Sequence, residues 1–196
     1  MITATYSEVE SVVVRLKHKF FTGRMDLNLV GIRLPNPSND GFDDTLAVAY
    51  VDELKNKRVD FFPITTEPGL KYLTNPINVK GTAILVPGQY RGMWTLGKHK
   101  GHDALVQVKP CTVSRDSNKN LIRDYASAVK ETGLFGINLH SVDPLEFQTI
   151  VGAWSAGCQV LPIKADKASI LSLVRRQLAS IGTASVSYTL VMESDF

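Results

Sequence analysis

A histidine and a cysteine stand eighteen positions apart, His140 in Gly136-Ile137-Asn138-Leu139-His140-Ser141 and Cys158 in Trp154-Ser155-Ala156-Gly157-Cys158. A thiol attacks a carbonyl as its thiolate, and an imidazole within hydrogen-bond reach can take the thiol proton and return it to a leaving group. Gly157 has no Cβ, so the backbone before Cys158 can turn sharply and present amide N–H groups to a developing oxyanion. These residue types supply a nucleophile, a base and an oxyanion site for acyl transfer. A lone Cys after Gly, or a lone His, is an ordinary structural residue; the pairing is what points to catalysis. The order, His before Cys, is the reverse of that in papain-like enzymes.

The other clusters carry less. His99-Lys100-Gly101-His102 has no acid or thiol at a supporting spacing and reads as a solvated basic loop rather than a metal pair. Asp116-Ser117-Asn118-Lys119-Asn120, with Asp124 after it, places oxygen donors at calcium-loop intervals. It lacks the glycine and terminal Glu of an EF-hand, which favours an Asn-rich turn. Asp43-Asp44 reads as a cap or loop acid, not a general acid and base. Arg91, Lys98 and Lys100 could meet substrate carboxylates, against the plainer reading of scattered surface cations. No metal site and no cofactor is expected.

The elements that must position the pair are mainly strands. With 196 residues, 44% hydrophobic and 21% charged, the chain suits one fairly large domain. No linker or repeat divides it, although residues 1–75 and 76–196 differ in character. Val9, Val12, Val13, Leu16 and Phe20 at helical spacing, behind a Ser7–Glu10 capping box, predict a helix over 7–20. Strands are expected at Leu27 to Arg33, Thr45 to Val51 and Arg58 to Ile64, with a loop over 35–41. Further strands are expected at Ala83 to Val86, Trp94 to Leu96, Ala104 to Val108, Thr112 to Ser114 and Leu134 to His140. Asp166 can cap a last helix with the apolar stripe Ile170, Leu171, Leu173, Val174, Leu178 and Ile181, ended by Gly182 and followed by a strand from Ala184 to Met192.

Composition also excludes functions. The net charge of +3, with basic and acidic residues interspersed, gives no reason to expect a nucleic-acid partner. The longest apolar runs fall far short of the roughly 20 residues of a membrane span. The N-terminus carries acids and no basic-then-apolar leader, so no secretory signal is expected. Two cysteines make no disulfide framework, and Cys111, in a strand-like stretch, reads as a small buried residue.

Gly136 to Ser141, the eighteen-residue step and Ser155-Ala156-Gly157-Cys158 together resemble the signature of the L,D-transpeptidase (YkuD-type) catalytic domain, a His followed by Gly or Ser, then Ser-x-Gly-Cys. The likeness is strongest over residues 78–161. Val86-Pro87-Gly88-Gln89-Tyr90 is similar to the strand turn such domains carry before the active site. Asn78-Val79-Lys80-Gly81-Thr82-Ala83-Ile84-Leu85 and Trp154-Ser155-Ala156-Gly157-Cys158-Gln159-Val160 resemble phrases of phage and prophage proteins with this core.

The resemblance implies a mainly β (α+β) fold, an L,D-transpeptidase-like β-sandwich with an N-terminal helix and a C-terminal helix packed on the sheet, and residues 76–196 as the catalytic core. It implies that Cys158 attacks an L,D or D,L amide of the peptidoglycan stem peptide to give a thioester, resolved by water or by an amine. His140 would be the base, held by the backbone carbonyl of Ser141; the amides of Gly157 and Cys158 would form the oxyanion hole, and Ser155 would brace the turn. Tyr90, Arg91, Trp154 and Gln159 are the candidate substrate contacts. One departure stands out: Val160 replaces the Arg or Asn that the family commonly has two positions after the Cys. The missing leader and the lack of a wall-binding repeat favour a phage-type murein hydrolase (endolysin-like), made in the cytoplasm and reaching the wall by lysis, injection or another route. The alternatives are a cross-linking L,D-transpeptidase and a catalytically silent structural or wall-binding component of a phage particle.

Overall fold

A computed structural model describes residues 1–36, 39–125, 129–143 and 145–196. Of the expected loop over 35–41, Pro37 and Ser38 lie outside the described residues. In chain order the elements are α1 (Tyr6–Arg15), β1 (Asn28–Arg33), β2 (Asp44–Val51), β3 (Lys57–Ile64), the short α2 (Leu70–Thr74), β4 (Thr82–Leu85), β5 (Gly88–His99) and β6 (His102–Gln107). They continue with β7 (Cys111–Asp116), β8 (Lys130–Gly133), β9 (Leu139–Ser141), β10 (Gln159–Leu161), α3 (Lys164–Ile181) and β11 (Val186–Met192). The expected mainly β, α+β class is observed.

Two strands that are apolar on both faces set the architecture. Every residue of β1 is buried, as is all of β2 but its last. Alternate side chains leave a strand on opposite faces, so such a pair needs cover on both sides. On one face Val30, Ile32, Ala47 and Ala49 pack with Tyr6, Val9, Val12 and Val13 of α1. On the other, Leu29, Leu46 and Val48 join the main core, to which α3 adds Ile170, Leu171, Leu173 and Val174.

The strands form an eight-stranded mixed sheet in the order β10-β9-β6-β5-β11-β1-β2-β3 and a three-stranded sheet β4-β7-β8. Beyond β3 the two edges of the large sheet meet: the Thr65 N–H donates to the Val160 carbonyl at 2.8 Å, and the Val160 N–H to the Thr65 carbonyl at 3.0 Å. The small sheet lays Ala83, Leu85, Cys111 and Val113 on the main core.

Several expected boundaries move, each for a local reason. The capping box of α1 is Thr5 with Glu8, not Ser7 with Glu10, and the helix stops at Arg15 because Lys17 takes a positive φ of 62°. Phe20 leaves the helix but meets Tyr6 edge-on at 5.3 Å. The expected short strand at Trp94 extends to all of β5; Gly97 continues it, since a Cβ there would stand 2.6 Å from Val106. The expected strand from Leu134 to His140 is broken, because the Phe135 and Ile137 N–H groups donate to the Gln107 side chain (3.0 and 2.9 Å) instead of to a neighbouring strand. Ile163, not Asp166, is the N-cap of α3; Gly182 ends that helix in the left-handed conformation, as expected.

Candidate active site

His140 lies in β9 and Cys158 immediately precedes β10, and these two strands pair in parallel. Eighteen residues of separation are thereby folded into adjacency at one rim of the sheet. Both side chains line a groove of about 440 Å³, together with Tyr72, Lys100, Arg115, Phe135 and Trp154.

Hydrogen bonding assigns the imidazole its tautomer. Nδ1 of His140 lies 3.0 Å from the Ser141 carbonyl, which only accepts, so Nδ1 carries the proton and Nε2 keeps its lone pair. Nε2 is buried and has no hydrogen-bond partner. The Cys158 thiol donates to the Gly136 carbonyl at 3.3 Å. Burial pulls the His140 pKa down to about 4, outweighing the Ser141 bond, which favours the charged ring. Burial likewise raises the Cys158 thiol, against the Asn138 backbone N–H and Lys100, which favour the thiolate. The resting pair is therefore a neutral thiol and a neutral imidazole. Such a pair can work by general base catalysis, the proton passing to Nε2 as sulfur attacks.

The turn that carries Cys158 is built around Ser155, which is fully buried. Its hydroxyl donates to the Cys158 carbonyl (2.8 Å) and accepts the Gly157 N–H (3.1 Å). Gly157 has φ 127°, and a Cβ there would lie 2.6 Å from the Ala83 carbonyl oxygen, so no other residue fits without movement. This arrangement corrects one expectation. With its N–H committed to Ser155, Gly157 shapes the turn, and of the two amides named for an oxyanion hole only that of Cys158 is left for that purpose.

Segment 65–70 braces the turn from behind. The Gly69 N–H donates to the Ser155 carbonyl at 2.9 Å, and Gln159 Nε2 reaches the Thr66 carbonyl at 3.4 Å. Thr66 is in turn held by buried ions: Arg33 donates to its hydroxyl (2.8 Å) and carbonyl (2.7 Å), and Asp44 accepts its N–H (2.7 Å). Asp44 is thus neither a helix cap nor a loop acid as expected: it opens β2, is buried, and accepts the Leu34 N–H (2.8 Å) as well as that of Thr66. The neighbouring Glu67 lies between Arg33 (3.5 Å) and Arg123 (3.2 Å), yet burial outweighs both cations and pushes its carboxyl up to about 7.

Of the four candidate substrate contacts, Trp154 lines the groove and the other three do not. Tyr90 is turned inward, its hydroxyl donating to the Val86 and Thr112 carbonyls. Arg91 lies over the Phe21 ring, 5.8 Å from its centre. Gln159 is fully buried and accepts the Tyr188 hydroxyl at 2.8 Å, so it anchors β10 from within. Lys98 pairs with Asp103 at 2.8 Å. Cys111 and Cys158 are both free thiols, and Cys111 is buried as expected, its thiol pushed up to about 11 by burial.

His99 is the residue the sequence placed outside the site. Its ring stacks on that of His140 with centres 4.4 Å apart and planes 15° apart. Asn138 Oδ1 accepts the Gln107 N–H (2.8 Å), which leaves the Asn138 amide nitrogen facing His99 Nδ1 at 3.0 Å. Nδ1 of His99 is then an acceptor, and the neutral ring carries its proton on Nε2. The signal lay in His99-Lys100-Gly101-His102: Lys100 (φ 48°) and Gly101 (φ 84°) make a tight two-residue hairpin turn, so the flanking histidines fall in register across β5 and β6.

Among the described residues, no three His, Cys, Asp or Glu side chains converge on a metal position. No helix among them is long and apolar enough to cross a membrane. Comparison with known proteins finds no matching family model, no matching curated protein and no matching solved structure.

Proposed function

We propose that the chain is a cysteine-dependent acyl-transfer enzyme with an L,D-transpeptidase-like core, hydrolysing an L,D or D,L amide bond of the peptidoglycan stem peptide as a phage-type murein hydrolase. The observation that carries the reading is the fixed tautomer of His140, whose unpartnered Nε2 lone pair shares one groove with the Cys158 thiol. In the first step the Cys158 sulfur bonds to the substrate carbonyl carbon while its proton moves to His140 Nε2. The Cys158 N–H stabilises the oxyanion, the C–N bond breaks, and His140 returns the proton to the departing amine. Water, deprotonated by His140, then cleaves the thioester and frees the thiol. Lys100 at the groove suits the carboxylates that stem peptides carry, whereas Arg115 beside it is already paired with Glu131 at 2.8 Å; Trp154, Phe135 and Tyr72 supply apolar wall.

Mass spectrometry of purified peptidoglycan incubated with the protein tests this reading. Soluble stem fragments, absent with Cys158→Ser, are the expected products. New L,D cross-links in the sacculi would instead identify an amine acceptor and a transpeptidase. Unchanged sacculi would leave the catalytically silent component.

A further inference from the structure

The loop that leaves β7 offers an oxygen donor at every second position: the Asp116, Asn118 and Asn120 side chains, the Ile122 carbonyl and the Asp124 carboxylate. This is the interval at which a single loop of chain wraps a hard cation such as Ca²⁺. By sequence the run reads as a plain turn, since it lacks the terminal Glu of an EF-hand and has Leu121 at the sixth position, where such loops carry glycine. The structure removes the second objection. Leu121 holds φ 64° and Lys119 φ 59°, so the chain takes the left-handed conformation at the sixth position without glycine.

A second observation points to a ligand. Asp116 is 1% exposed; its Oδ2 accepts the Asp124 N–H at 2.8 Å, which places the carboxylate between the two ends of the loop. Its Oδ1 is buried and has no hydrogen-bond partner. A buried carboxylate oxygen left without a partner is strongly disfavoured, and a cation within the loop would satisfy it. The Asn118 and Asn120 amide oxygens accept the Asn120 N–H (3.2 Å) and the Ile122 N–H (2.9 Å), which holds both along the loop while each keeps a second lone pair.

We propose that residues Asp116 to Asp124 form a calcium-binding loop, with Asp116, Asn118, Asn120, the Ile122 carbonyl and Asp124 as ligands. Two carboxylates among neutral donors place its affinity at the weak end of such loops, a Kd of about 10⁻⁴–10⁻³ M. Mg²⁺, which is smaller and gives up its water reluctantly, binds less well. Arg123, the eighth residue of the loop, donates to the Pro68 carbonyl (2.7 and 2.9 Å) and to the Asn36 and Asn39 carbonyls (3.0 and 2.6 Å). Arg115, just before the loop, lines the groove. Calcium therefore fixes the arm that holds segment 65–70 behind Cys158, without touching the reacting atoms. The binding claim stands apart from the proposed chemistry.

The test is calorimetric titration of the full chain, stripped with EDTA, with calcium chloride, alongside thermal melts in calcium chloride, magnesium chloride and EDTA. One calcium per chain is expected, with a higher Tm in calcium than in magnesium. Asn118→Ala and Asn120→Ala alter exposed side chains, so both should melt like the parent in EDTA while binding calcium about 10-fold or more weakly, as loss of a ligand implies. Asp116→Asn should abolish binding. No calcium heat and no calcium-dependent Tm in the parent chain overturns the proposal. So does an equal response to magnesium, or an unchanged affinity in Asn120→Ala and Asp116→Asn.

Discussion

Removal of one hydroxyl, in Ser155→Ala, should loosen the whole turn that carries Cys158. The Ser155 hydroxyl makes two hydrogen bonds, to the Cys158 carbonyl at 2.8 Å and from the Gly157 N–H at 3.1 Å, and the side chain is fully buried. Each bond contributes about 1 kcal/mol net, but a buried donor left without a partner costs about 1–3 kcal/mol. The Gly157 N–H is that donor, whereas the Cys158 carbonyl, beside a half-buried residue, can turn to water. The expected loss is therefore about 2–4 kcal/mol. In a chain of this size that corresponds to a fall in Tm of roughly 5–15 °C.

Urea unfolding at neutral pH measures the loss, with Ser141→Ala as the control. Ser141 is half-buried, its hydroxyl donates only to the Val142 carbonyl at 2.9 Å, and its role at His140 is played by the main chain. Ser141→Ala should stay within about 1 kcal/mol of the parent and keep its activity. If Ser155→Ala also unfolds within about 0.5 kcal/mol of the parent, the turn is held instead by the Gly69 N–H on the Ser155 carbonyl, a bond the variant retains, and the assignment to the hydroxyl is wrong.

Other consequences can be measured directly. His140 has a folded pKa of about 4 against 6.5 for the free side chain, so below 6.5 the unfolded chain takes up a proton that the fold refuses. Its contribution, up to about 3 kcal/mol, is complete above pH 6.5 and lost as the pH falls toward 4. Urea midpoints of the parent and His140→Gln should converge over that window; parallel profiles would contradict the buried neutral ring. Iodoacetamide should alkylate Cys158 with a pH midpoint above the ordinary thiol value of 9.0, and a midpoint below it would mean that a thiolate pre-exists. In Gly69→Ala the new Cβ would meet the Gly152 carbonyl oxygen at 2.1 Å, which should cost about 1–3 kcal/mol in urea unfolding and slow turnover; a variant matching the parent in both would show that segment 65–70 does not set the turn.

What could be read without coordinates follows from how local each signal is. The His140–Cys158 pair and the Gly157 turn were legible because their residue types and spacing belong to one short stretch. Gly182 likewise ends α3 by a purely local rule. His99 was hidden because its role depends on a hairpin register and on Asn138, thirty-nine residues away. Tyr90 and Gln159 look available as polar side chains, yet both are turned into the core by partners distant in sequence, and alternation in so short a strand as β10 does not tell which face is which. Segment 65–70 carries no motif at all. It matters through backbone bonds to Ser155 and Val160, and main-chain groups leave no trace in residue identity.

Val160 shows how a departure from a family pattern can have its own cause. By resemblance the position two residues after the Cys carries an Arg or Asn, and read alone the valine looks like a lost substrate contact. In the fold, Val160 is fully buried, sits opposite His140 in the β9–β10 pairing, and exchanges backbone bonds with Thr65 where the two edges of the large sheet meet. A charged side chain there would enter a closed sheet with no water beside it, which only a buried partner could offset. The cations that reach the groove come instead from other elements, Lys100 from the β5–β6 turn and Arg115 from β7. Arg115 is held in place by Glu131 at 2.8 Å and by the Gly81 carbonyl at 3.3 Å. On the proposed reading, recognition of an anionic substrate falls to the elements that flank the turn carrying Cys158, and the turn itself is left to hold the thiol.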